Sequence, residues 1–156
     1  MSLFVLVEVV HVIGATVLFG TGVGIAFFML MAHRTSDPRL IAHTAGVVVV
    51  ADTVFTATAV VVQPITGAWL AVTAGYPLLR GWIGISLALY IVTGAFWLPV
   101  VWMQIRMRDL ARAAAASGEL LPATYHRLWR AWCACGFPAF AAVIGIVWLM
   151  VAKPAF

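Results

Sequence analysis

The chain has 156 residues, of which 65% are hydrophobic and 9% charged, with a mean hydropathy of +1.10. A water-soluble domain of this size cannot bury that much apolar surface, and a disordered chain is poor in the aliphatic and aromatic side chains that abound here, so both classes are excluded. The formal charge of +4 comes from nine Lys+Arg against five Asp+Glu, and most of the basic residues sit between apolar stretches, where they set membrane topology rather than bind nucleic acid.

Four stretches are long and apolar enough to cross a hydrocarbon core of about 30 Å as helix. They run about Leu3–Ala32, Thr44–Ala71, Gly81–Ile105 and Leu128–Ala152. The expected fold is all-α, a four-helix transmembrane bundle forming one integral membrane domain over residues 1–156, with no second domain, repeat or linker. The first span lacks a basic leading region, carries Glu8 and His11 in its opening turns and is too long for a signal-peptide core, so it is expected to stay in the mature chain. Glu8-x-x-His11 puts both side chains on one helix face, which Ala15, Gly22 and Ala26 extend inward. Gly20-x-x-x-Gly24 predicts a close approach by another helix.

The loop after it, HRTSDPRLIAH, holds Arg34 and Arg39. Span two then places Asp52, Thr56, Ala59, Gln63 and Thr66 at helical spacing. The helix rise brings Gln63 and Thr66 to the depth of His11 and leaves Asp52 near the loop end. Span three continues the polar register with Ser86, Tyr90, Thr93 and Trp97, and span four offers Ala142, Ile146, Leu149 and Lys153. Pro64, Pro99 and Pro138 each interrupt a span and free the carbonyl four residues earlier. The third loop continues helically toward Ser117-Gly118, a stop signal, and Pro122 suits the start of the next helix. Cys133 and Cys135 point to different faces and form no disulfide framework.

Seven basic residues, Arg34, Arg39, Arg106, Arg108, Arg112, Arg127 and Arg130, fall on one side of the membrane, against Arg80 and Lys153 on the other. The positive-inside rule therefore predicts both termini periplasmic in a bacterial inner membrane, with loops one and three cytoplasmic.

Polar groups in lipid are informative because each costs free energy that a Leu does not. For His11, metal ligation competes with simple helix-to-helix hydrogen bonding. Glu8 and Lys153 also fit interfacial snorkelling. Asp52 is read as a helix-end charge meeting Arg34 or Arg39 in preference to a proton relay. Trp69, Trp82, Trp129 and Trp148 fit interfacial belts, and His33, His43 and His126 read as exposed loop histidines. No nucleotide loop, zinc-helix pattern or nucleophile elbow is present.

The strings HVIGATVLFGTGVGIAFFMLMAHRT, VVVQPITGAWL, LPVVWMQIRMRDLA and FPAFAAVIGIVWLMVAKP resemble a family of small bacterial integral membrane proteins defined as a domain of unknown function. More distantly, His11-Val12, Thr66-Gly67-Ala68-Trp69 and Lys153-Pro154 are similar to motifs of the CopD-like group, including the HemJ-type protoporphyrinogen oxidases. That resemblance implies haem b, with functional roles carried over to His11 and Lys153 alone. The pattern departs where HemJ-type proteins have a His in span three, here ALYIVTGAFWLPVV, and an Asn-Glu before the last span's Pro, here CACGFP. It therefore implies a shared scaffold and a porphyrin or metal role ahead of the reaction itself.

The chemistry is coherent with that resemblance. His11 offers an imidazole to iron as the metal ligand, Glu8 a second acceptor to orient it, Arg80 and Lys153 cations for propionates, and Gln63 and Thr66 polar groups at the same depth. No second His lies at that depth, so the iron would be five-coordinate or take a non-His ligand. The leading expectation is a haem-b-binding membrane protein, an oxidoreductase coupled to quinone or a porphyrinogen. The second is a non-catalytic accessory subunit of a larger respiratory or photosynthetic complex, and the third is copper handling of the CopD type. The partners expected are the lipid bilayer, a quinone or porphyrin, and other membrane subunits or further copies of the chain in a homo-oligomer. Copper would call on Met thioethers, but most of Met1, Met29, Met31, Met103, Met107 and Met150 gather away from His11.

Overall fold

The computed structural model describes residues 2–155, and all the regular structure in it is helical. Helix α1 spans Leu3–Thr35, α2 Pro38–Ala51, α3 Ala57–Thr73, α4 Gly81–Ser117 and α5 Ala123–Ala152. A single π turn, Asp52–Thr56, joins α2 to α3, so the second span is one rod from Pro38 to Thr73. Four rods are long and apolar enough to cross a membrane, as the sequence predicts.

Each rod outruns the apolar stretch that announces it. Hydropathy stops at the first charges, but backbone hydrogen bonding carries a helix on through the interface, where Arg and Asp side chains reach water. The connection from α1 to α2 is consequently only Ser36-Asp37. Ser36 takes the left-handed conformation (φ 55°) that ends α1, and the Asp37 side chain accepts from the Arg39 amide at 2.8 Å, capping a helix whose first residue is Pro38. Helix α2 therefore starts six residues before Thr44, and Asp52 stands 14 residues into the rod. At the far end of α4, Gly118 takes φ 71° and closes the helix as Ser117-Gly118 predicts.

Helix α4 lies along α5 and against α2, while α1 lies along α2 and α3. Lipid tails are as apolar as Leu, so close packing rather than water exclusion holds such helices together. The tightest region is the half of the bundle near the Arg-rich loops. Ala42, Ala45, Ala111 and Ala114 let α2 and α4 approach, and Met29, Ile41, Met103 and Met107 fill the remaining space. Outward-facing Ile13, Phe27, Phe28, Val50, Ile91, Leu98 and Val151 are exposed, the arrangement lipid requires.

The expected close approach at Gly20 and Gly24 is not found: nothing lies within 4 Å of a Cβ built on Gly20, and Gly24 meets only Phe28 of its own helix. The close contacts between helices fall instead at Gly14, at Gly67 and, against Leu89, at Gly145.

Candidate functional site

Among the expected site residues, the structure brings His11, Gln63 and Thr66 together across the α1–α3 seam. The His11 Nδ1 atom lies 2.8 Å from Thr66 Oγ1. That hydroxyl has one proton, and it is directed to its own helix, to the Val62 carbonyl at 2.8 Å and more weakly to the Gln63 carbonyl at 3.2 Å. With that proton on the Val62 carbonyl, Thr66 accepts from a His11 Nδ1–H, the tautomer that leaves the lone pair on Nε2. No partner for Nε2 is found among the described residues.

The backbone around this ring is held from α3 as well. Gln63, 7% exposed, donates through Nε2 to the His11 carbonyl at 2.8 Å. Both contacts depend on glycine. A Cβ on Gly14 would stand 2.6 Å from Gln63 Nε2, and one on Gly67 would stand 3.0 Å from His11 Cε1. Small residues thus admit the two polar side chains between helices that would otherwise touch.

Glu8, Arg80 and Lys153 are exposed and make no side-chain hydrogen bond or ion pair among the described residues, where Arg108–Asp109 is the one salt bridge. Arg80 stands immediately before α4 and Lys153 immediately after α5, both at the end of the bundle that carries the chain termini. The orienting partner of the His11 ring is Thr66.

Tyr90 answers a feature legible in the sequence. Pro64 cannot donate to the Val60 carbonyl four residues earlier, and the Tyr90 hydroxyl of α4 donates to that carbonyl instead.

Asp52 corrects an expectation. It meets neither Arg34 nor Arg39. It is 4% exposed inside the bundle, and one carboxylate oxygen, Oδ1, accepts from Trp97 Nε1 at 3.3 Å. With Thr56 (7%), Ala59 (6%) and Gln63 (7%), it forms the buried stripe that the spacing predicts.

His33 is likewise more than a loop histidine. Its ring stacks on Trp129 at 4.1 Å between centroids, and Nδ1 lies 3.3 Å from the Tyr125 hydroxyl, stitching α1 to α5 near the Arg-rich loops. His126 lies edge-on to it at 6.0 Å. Among the described residues no group of three or more His, Cys, Asp or Glu side chains is placed to hold a metal ion. Nearby, an open groove of about 610 Å³ runs beside α2, with Val47, Val50 and Phe55 along it and His43 and Arg112 at its polar end.

A family model described as "Predicted integral membrane protein (DUF2269)" matches residues 5–154. No curated protein and no solved structure matches the chain.

Proposed function

We propose, for a chain that belongs to the DUF2269 family of predicted integral membrane proteins, that it binds an iron porphyrin, haem b, through His11 Nε2. The observation that carries the reading is the 2.8 Å contact between His11 Nδ1 and Thr66 Oγ1. A metal-binding imidazole donates its other N–H to an acceptor that fixes the ring, and Thr66 Oγ1, whose own proton has the Val62 carbonyl to go to, is placed to be that acceptor. The proposal also draws on the similarity of the His11, Thr66-Gly-x-Trp and Lys153-Pro motifs to the CopD-like and HemJ-type proteins.

Bound haem supplies a one-electron couple and a coordination position for a small ligand or substrate. The rest is the work of this chain's own residues. Thr66 holds the imidazole, and Gln63 fixes the α1 backbone beneath it. Arg80 and Lys153 are cations at the same end of the bundle, suited to propionates near the interface, and Glu8 sits one turn from His11 at that surface. The setting we assign is a bacterial inner membrane with the termini periplasmic, and the substrate class is a quinone or a porphyrinogen.

The test is the visible spectrum of protein purified in mild detergent from haem-replete cells. A Soret band is expected, retained in His33→Ala, His43→Ala and His126→Ala. A colourless protein would overturn the reading and leave a non-catalytic subunit of a larger membrane complex as the better account.

A further inference from the structure

The π turn holds chemistry that the His11 site does not use. Asp52 lies 14 residues into the 36-residue rod that is long and apolar enough to cross a membrane, about 21 Å along the axis from Pro38. Its Oδ2 is buried without a hydrogen-bond partner, and so is the hydroxyl of Thr56, one turn further on. The two residues are 96% and 93% buried respectively, since 4% and 7% of their surfaces are exposed. They open and close the single π turn, a wide turn that recurs at functional positions in helices.

No charge is at hand to neutralise an Asp52 carboxylate. Helix α1 carries no ionisable residue between His11 and His33. Helix α4 offers Trp97 and, a turn or more away on either side, only Tyr90 and Arg106; α5 has only Cys133 and Cys135 between Arg130 and Lys153. The α2–α3 rod has none between His43 and its end apart from Asp52 itself. Arg106 is exposed and nine residues beyond Trp97, about 13 Å along the axis. The single donor to the carboxyl group is the neutral Trp97 indole. An unpaired carboxylate in such surroundings takes up a proton instead of staying charged.

We propose that Asp52 is a proton-binding site within the membrane, a neutral carboxylic acid in the resting protein that exchanges its proton reversibly. The equilibrium is RCOOH to RCOO⁻ plus H⁺, and no electron moves. The surroundings suit both forms. As the acid, Asp52 has an O–H to offer the Thr56 hydroxyl; as the carboxylate, it has an oxygen to accept from it. Trp97 donates to Oδ1 in either state. Two unpartnered oxygens are too few for a sodium or calcium shell, so the ligand is the proton. A polar stripe of Thr56, Gln63 and Thr66 leads from this acid toward His11, but the proposal stands without any cofactor there.

Infrared spectroscopy of the purified protein at neutral pH tests it. Of the five acidic side chains only Asp52 is buried, so the carboxylic acid C=O stretch to follow is the one that Asp52→Asn removes. Wild type should show one such band, which shifts in D₂O, disappears on raising the pH and is absent from Asp52→Asn. Asp52→Glu, which keeps the acid, should retain a band. A folded wild type without the band, a band that survives in Asp52→Asn, or one that neither exchanges nor titrates would overturn the proposal. All these readouts are independent of whether the protein is coloured.

Discussion

At the scale of single residues, the site rests on one proton's position. Thr66→Val keeps the shape but removes the acceptor for His11 Nδ1–H, and second-sphere losses of this kind weaken metal retention by about 10–100-fold. Thr66→Ser should restore most of that loss, a comparison made by competing the bound cofactor onto apomyoglobin. Gly67→Ala tests the same ring by crowding: its methyl would lie 3.0 Å from Cε1, so the imidazole must tilt and the Soret maximum should shift. Part of this was legible in the sequence, because the helix rise alone puts Gln63 and Thr66 level with His11. The glycine contacts were not. Gly14 and Gly67 matter for what faces them across the seam, whereas Gly20 and Gly24 have the familiar spacing and face no other helix.

At the scale of elements, proline and tyrosine form a matched pair. Tyr90→Phe strands the Val60 carbonyl that Pro64 leaves open, at a cost of about 0.6 kcal/mol, the average for such bonds in membrane bundles, and at most about 1.7 kcal/mol. Pro64→Ala supplies an amide to that carbonyl, so the penalty of Tyr90→Phe should shrink in the Pro64→Ala background. Unfolding in mixed micelles across the double-mutant cycle measures the coupling. The freed carbonyl could be read from Pro64, but its donor on another span could not. The π turn left no mark either, since DTVFT has no breaker and nothing in its spacing departs from an ordinary helix. Counting span two from Thr44, where the apolar run starts, makes Asp52 a helix-end charge, whereas the helix begins at the cap formed by Asp37 and Pro38 and Asp52 is buried inside the bundle.

At the scale of the whole molecule, the four rods were the most legible feature, since lipid demands about 20 apolar residues per crossing and leaves little else to choose. The distribution of charge predicts their direction. Seven Arg at one end against Arg80 and Lys153 at the other should give a reporter fused after the last residue activity on the periplasmic side alone. Cytoplasmic activity would invert the bundle. Lys153→Met should weaken cofactor retention without impairing insertion, because a single interfacial cation does not drive a helix into lipid; comparing the haem content of equal amounts of membrane-inserted wild type and variant checks this. The central claim remains that an iron porphyrin is held by His11 Nε2, and the most direct measurement is the visible spectrum of purified His11→Gly before and after addition of free imidazole. The account predicts that the wild-type Soret band is lost or displaced in the variant and returns when imidazole occupies the vacated position; a variant as coloured as wild type, and indifferent to imidazole, would contradict it.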